Sequence, residues 1–439
     1  MEQGPYSVPT ALIIGASVAG LLAARALHNN GWHIVILDRD KLPDAALPRK
    51  GTPQCHHAHV LLRRGLDAIE QLVPGFEKAL SEAGGVPVNA TLDWEANFQH
   101  GELKRGPSDL NFITASRPLI EHTLRRLVLS GRDIVIHEST HVTHVDLGDQ
   151  RTPSITTTRG KFTTPQQVAL VINACGRNSS GDEWLTKSGY DIPSREVTKP
   201  GLGYASCVFR GLNLPQGTQA LLTMYRAPDF PSAAIIMPIE NETHLVTLSG
   251  LQGNYPPDNE NEFMEFASSL RTPRVHEYLQ YAERISPIKR FRKDTSVFKR
   301  YDRMARFPNG FLVAGDALCS FNPIYGQGIT AAALAAIKLQ KATTNGIPNS
   351  KSLQRIVASA YETPWKMAST EDKRWLDNPG LTARLSHHLI DTVAKAATRD
   401  AAIARLYLGV LHMVEPVNRL LFPHILLRAY WLAYFQRGV

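Results

Sequence analysis

The sequence predicts an α/β fold with three parts: a parallel-sheet domain of nucleotide-binding type, an interleaved antiparallel-sheet domain and a helical C-terminal region. Three observations predict it. A strand, a glycine turn, a helix and a second strand follow one another within residues 10–38. A second strand, glycine loop and helix stand far downstream, at 310–333. Between them, residues 181–290 carry short, partly alternating apolar runs and no glycine fingerprint.

The first unit opens with Thr10–Ile14, an apolar run that stops at a glycine, as a buried parallel strand reads. Gly15-Ala16-Ser17-Val18-Ala19-Gly20 follows, then a helical pattern from Leu21 to His28, ended by Gly31. A second run, His33–Leu37, closes on Asp38 and Arg39. Gly15 permits the tight turn, and Gly20 lets the helix pack closely. Ser17 stands where the fingerprint's middle glycine is usual. The helix N-terminus presents free N–H groups and a positive dipole end to a pyrophosphate. Asp38 falls close to the expected spacing of ~20 residues and can accept hydrogen bonds from a ribose diol. In this context the motif is a Rossmann-like dinucleotide fingerprint, which by itself does not separate NAD from FAD.

The second unit begins with the apolar run Gly310–Ala314 and ends in Gly315-Asp316-Ala317. The loop Ser320-Phe321-Asn322-Pro323-Ile324-Tyr325-Gly326-Gln327-Gly328 leads into an alanine-rich helix. Asp316 is delivered by a strand end, the two glycines let backbone N–H groups crowd a ligand, and Pro323 stiffens the loop.

These residues carry a resemblance. Gly315-Asp316 with Gly326-Gln327-Gly328 resembles the second FAD signature of the class A (aromatic-hydroxylase-like) flavoprotein monooxygenases. Arg49-Lys50-Gly51-Thr52-Pro53-Gln54-Cys55-His56-His57-Ala58-His59, Ser116-Arg117-Pro118-Leu119-Ile120-Glu121 and Cys175-Gly176-Arg177 look like stretches of a bacterial subfamily. Its best-known members are the flavin epoxidases of polyether-antibiotic pathways. Thr52, Cys55 and Asn178-Ser179-Ser180 depart from that pattern. The resemblance covers about residues 10 to 345.

The resemblance implies a discontinuous FAD-binding domain (1–80, 113–180 and 291–345), a substrate domain (81–112 and 181–290) and a helical region (346–439). It implies non-covalent FAD held by Gly15, Ser17, Ala19, Gly20, Asp38, Arg39, Arg49, Lys50, Arg117, Gly176, Gly315, Asp316, Gly326, Gln327 and Gly328. NADPH or NADH is the implied reductant. Dioxygen would give a C4a-hydroperoxyflavin whose distal oxygen passes to an electron-rich carbon. The loop at Pro323 and the buried-looking His57 are the expected groups nearest that chemistry. The expected partner is a small lipophilic alkene. Aromatic hydroxylation and prenyl-chain reduction are alternatives on the same fold. A flavin halogenase is disfavoured, because no two tryptophans stand two apart as its WxWxIP motif requires.

In the substrate domain, strands are expected at Gly203–Arg210, Ala220–Tyr225, Ala233–Pro238 and His244–Gly250, with a helix at Asp258–Leu270. In the tail, Leu406–Phe435 is rich in Leu, Tyr and Trp but broken by Pro416 and Pro423. It reads as a helical cap, with peripheral membrane contact as the second reading; Arg419, Arg428 and Arg437 interleave there.

The net charge is +8, but the basic residues are scattered, so nucleic acid is not an expected partner. The four cysteines form no CxxC pair, and His56, His57 and His59 lack metal-site company, so no metal is expected. Met1–Pro9 is polar and lacks the features of a secretory signal. The expected location is cytoplasmic.

Overall fold

A computed structural model of the chain describes residues 8–130, 133–148, 153–164, 167–376 and 378–435. Most of the polar start, Met1–Ser7, and Arg437 lie outside these residues.

Five strands form a parallel sheet in the order Phe311–Val313, Val168–Asn173, Thr10–Ile14, His33–Leu37 and Ile134–His137. The near-continuous Ile, Leu and Val of the three inner strands are what burial on both faces requires. Helices Val18–His28 and Gln327–Thr343 pack against each other beside the sheet. The outer strand Phe311–Val313 is thus brought two places from Thr10–Ile14, and both strands end towards one crevice.

The larger sheet is mostly antiparallel. Leu202–Arg210 pairs with Thr243–Gly250, which pairs with Ser232–Ile239 and then Ala220–Thr223. Trp94–Phe98 joins in parallel to Ala220–Thr223. The four expected strands and the helix (Glu260–Ser268) are present within two residues of the expected ends. One difference concerns the boundary expected at 290/291. Lys289–Lys293 is a single strand of this sheet, paired with Leu202–Ser206, so the cut falls within a hydrogen-bonded strand.

Alternation gives this sheet two unlike faces. Ala205, Cys207, Phe209, Val246 and Leu248 form a core under the helices Glu260–Ser268 and Arg274–Leu279. Tyr204, Ser206, Thr247 and Ser249 alternate with them on the other side.

The tail is helical: Ser350–Ala358, Glu362–Asp372, Leu381–Ala397, Ala401–Leu411 and Pro423–Tyr430. It caps both sheets. Lys104 N donates to Ala397 O at 2.8 Å, and the Tyr407 ring meets Phe98 edge-on at 5.5 Å. Among the described residues, no helix is long and apolar enough to cross a membrane.

Candidate functional site

The first glycine turn is closed by its own unit. Gly15 N donates to Leu37 O at 2.8 Å, and Asp38 Oδ2 accepts from Ala16 N at 2.7 Å. A Cβ at Gly20 would lie 1.8 Å from Gly15 O, so the close approach is between the helix and the turn itself. The hydroxyl of Ser17 takes up the space beside this turn productively: it donates to Glu121 at 2.7 Å and accepts from Arg117 Nη2 at 3.0 Å.

A buried ionic network continues from there. Arg49 Nε donates to Glu121 Oε1 at 2.7 Å, and Arg49 Nη1 reaches Asp40 at 2.9 Å and Asp38 at 3.3 Å. Burial works against the Arg49 charge, but Glu121 and Asp38 outweigh it and raise its pKa above the ordinary value. Burial likewise opposes the Glu121 carboxylate, and Arg117 and Arg49 overcome it, so its pKa is lowered. Glu121 is therefore a carboxylate shared by two arginines beside the turn. Arg117 Nε is buried without a hydrogen-bond partner in the protein.

The second motif lands against the first. Gly315 has φ +64°, and a Cβ there would lie 2.6 Å from the Ala19 methyl. No other residue allows this strand end and the first helix to meet so closely. Asp316 is exposed at the junction. The strand leading to it is an edge, and its N–H groups are met by side chains of the tail. Gly310 N donates to Ser350 Oγ at 2.8 Å, Val313 N to Gln354 Oε1 at 2.8 Å, and Gly315 N to Tyr361 OH at 3.0 Å. Gln354 Nε2 also donates back to Val313 O at 3.2 Å, so one glutamine imitates a neighbouring strand.

Beyond Asp316 the chain runs through Ser320–Asn322 into a short 3-10 turn at Pro323–Tyr325. Gly326 precedes the helix Gln327–Thr343. In the first turn of that helix, Gln327 Oε1 and Thr330 Oγ1 are buried without partners, and the space a Cβ would take at Gly328 is open within 4 Å.

The polar face of the antiparallel sheet carries a connected row. His57 Nδ1 and Ser206 Oγ are 2.7 Å apart, as are Ser206 Oγ and Thr247 Oγ1. Tyr225 OH donates to Ser249 Oγ at 2.8 Å. The His57 ring lies 5.6 Å from Tyr204 and 5.5 Å from Phe291, and the Arg177 guanidinium sits 4.7 Å above Phe291. Burial, with a smaller contribution from His56, lowers the His57 pKa to about 4, so the imidazole is neutral at neutral pH. His59 turns its Nδ1 to the His57 carbonyl at 2.8 Å. Trp375 meets Tyr225 edge-on at 6.2 Å and lines an outer cavity of about 520 Å3 with Pro228, Pro231, Leu376 and Pro379.

The structure thus brings together Gly15, Ser17, Ala19, Gly20, Asp38, Arg49, Arg117, Gly315 and Asp316. Gly176 sits beyond the neighbouring strand end, next to Cys175, whose Sγ donates to Ile14 O at 3.6 Å. Arg39 and Lys50 are exposed, and neither takes part in the ionic network. Asp38 is engaged by Ala16 N and Arg49, a tie its expected ribose contact did not include. Sequence reasoning missed Glu121 as the counter-charge, although the quoted Ser116–Glu121 stretch contained it. It also missed Gln354, Tyr361 and Asp372, which no local motif marks.

A family model described as "FAD binding domain" matches residues 8–344, and the chain belongs to that family. Protein Rv3254 of Mycobacterium tuberculosis (strain ATCC 25618 / H37Rv) is 30% identical over 349 residues, covering 76% of this chain and 72% of that protein. A flavoprotein/dehydrogenase from Cytophaga hutchinsonii has a TM-score of 0.69 at 16% identity, covering 97% of this chain and 98% of its own. The flavin-dependent brominase Bmp2 has a TM-score of 0.60 at 14% identity, covering 97% of this chain and 94% of its own. FAD is the cofactor that the family and the fold together support, and the residues fit it. An unpartnered arginine donor borders the first turn, and unpartnered polar atoms border the second.

Proposed function

We propose that this flavoprotein is an FAD-dependent monooxygenase that epoxidises an alkene of a lipophilic polyene, polyketide or terpenoid substrate, using NADPH or NADH and O2. The observation that carries the reading is the meeting of Gly315 with Ala19. It sets the start of the second glycine motif against the helix of the first.

In this reading Ser17 and Arg117 meet the pyrophosphate, with Gly15, Gly20 and the helix N-terminus behind them. Asp316 meets the ribityl chain, and Gly326, Gln327 and Gly328 meet the ring. When bound, FAD would supply the two-electron redox and oxygen chemistry. The protein's part is to orient the substrate and exclude water. His57, neutral and held by Ser206, acts as wall rather than as proton donor. Pro323 shapes the opposite wall. The outer cavity, lined by Trp375 and three prolines, is the entry for an apolar substrate.

The test is turnover under 18O2 with NADPH and candidate polyenes. One labelled oxygen in an epoxide product, with one NADPH consumed and one water formed, supports the reading. Oxidation of NADPH that only ever yields hydrogen peroxide, or saturation of a double bond, defeats it. Aromatic hydroxylation is the second reading, favoured by the ring-lined wall of Tyr204, Tyr225 and Phe291. A labelled phenol product would select it. Halogenation stays disfavoured, since the brominase shares only the fold.

Peripheral membrane contact through the tail is part of the same reading. Leu381, Leu427, Trp431 and Phe435 are 84%, 72%, 56% and 74% exposed. Co-sedimentation with anionic vesicles tests it, and a protein left wholly in the supernatant refutes it.

A further inference from the structure

Two buried charges of opposite sign hold the loop that follows Asp316. Lys293 stands at the end of the antiparallel strand Lys289–Lys293 and is 8% exposed. Its ammonium donates to Ser320 Oγ at 2.7 Å and to the Phe321 carbonyl oxygen. Asp372 ends the tail helix Glu362–Asp372 and is 7% exposed. Its Oδ1 accepts from Asn322 Nδ2 at 2.8 Å and from Tyr325 OH at 3.2 Å, and its Oδ2 accepts from Thr198 Oγ1 at 2.6 Å.

Among the described residues, neither charge has an ion-pair partner within 4.0 Å. Lys293 is satisfied by a hydroxyl and a carbonyl, Asp372 by an amide and two hydroxyls. Every one of those groups but Thr198 belongs to the segment 320–325. A buried charge is costly unless its hydrogen bonds are complete, so the loop must stay where those bonds are made. Asn322 adds a local tie, its Oδ1 accepting from Ile324 N at 3.3 Å, which leaves its amide free to face Asp372.

We propose that Lys293 and Asp372 are positioning residues that clamp Ser320–Tyr325 at successive points and so fix the wall between flavin and substrate. That this loop is the flavin-side wall rests on the function proposed above; the clamp itself does not. The three parts of the chain meet here: the loop comes from the FAD-binding region, Lys293 from the substrate sheet and Asp372 from the tail beyond the residues that match the family. Burial lowers the Lys293 pKa to about 8, with Asp316 opposing, and burial raises that of Asp372. Both directions disfavour the charged forms, and for Asp372 the hydrogen bonds from Thr198, Asn322 and Tyr325 work against that, so its charge depends on bonds that the loop helps to supply.

Hydrogen–deuterium exchange of the purified holoprotein tests the clamp without any turnover. In K293M and D372N, amides of 319–326 should exchange at least ~10-fold faster, because a cooperative tie to the rest of the fold is lost. Amides of the strands 10–14 and 168–173 should keep wild-type rates, and the visible absorption bands of the bound FAD should shift. S320A and Y325F remove single bonds from the loop's side and leave no buried charge stranded without all its partners. They should show the same change on a smaller scale, and they stand in if either first variant does not fold. Wild-type exchange at 319–326 in the variants, or faster exchange spread evenly over the whole chain, overturns the proposal. A clamp confirmed by exchange in a protein that never transfers oxygen would count against the proposed reaction alone.

Discussion

The two glycine motifs do similar work but are held in different ways. The first, residues 10–38, is almost self-contained: its turn closes on Leu37 O, its acid caps Ala16 N, and its helix seats on its own turn. The second, residues 310–328, is held from a distance. Ser350, Gln354 and Tyr361 meet its strand, while Lys293 and Asp372 meet its loop. A motif whose bonds are local can be recognised in a short window of sequence. A motif whose bonds are remote shows only its glycines, and its supports look like ordinary polar residues on helices.

That contrast makes ordered predictions. Ending the chain after residue 345, one past the family match, removes all three strand partners together with Asp372. No folded, yellow protein is expected, and soluble material that binds FAD would show the second motif to be as self-sufficient as the first. Next comes G20A. Its methyl would collide with the Gly15 carbonyl, a backbone atom that cannot swing aside. Overpacking of that kind costs about 1–3 kcal/mol or more, and FAD should be lost on purification; wild-type flavin content in G20A would refute the close approach.

Q354A is milder. It leaves the buried Val313 N–H without its acceptor, at about 1–3 kcal/mol. In a chain of this size that is a Tm lower by roughly 1–3 °C, measured by thermal melt, with flavin still bound. An unchanged Tm would mean that the strand edge needs no partner. At neutral pH the smallest effect is expected from His57, because its contribution changes only as the pH falls. Its folded pKa of about 4 lies below the ordinary 6.5, so the unfolded chain binds the extra proton between those values. Stability should therefore fall as pH drops from 6.5 towards 4. H57N should flatten that fall by up to ~1.4 kcal/mol per pH unit. Equal slopes in wild type and variant would show that His57 is not held neutral.

The same contrast explains what was legible. Thr10–Ile14, the glycine turn and Asp38 were readable because strand, turn and acid sit at fixed short spacings. The strands of the larger sheet were readable from alternation, though not the role of each face. Ser206 and Thr247 look like any strand hydroxyls until pairing sets them beside His57. The boundary near 290 was misplaced because Lys289–Lys293 is too charged to read as a sheet strand. Three of its side chains are exposed, and only Lys293 turns fully inward. Glu121 was within a quoted stretch, yet its function depends on Arg49 and Arg117, which only the fold brings to it.

The glutamine that imitates a strand has a consequence for how the chain is made. The strand Phe311–Val313 must wait for Gln354 and Tyr361 to leave the ribosome before its edge is satisfied. At ~5–20 residues per second, the interval between synthesis of Ile14 and of Phe311 is roughly 15–60 s. Through that interval the inner strands lack their outermost neighbour. The nascent nucleotide domain is therefore an open sheet during most of translation, exposed to wrong pairing, and it closes only when the tail arrives.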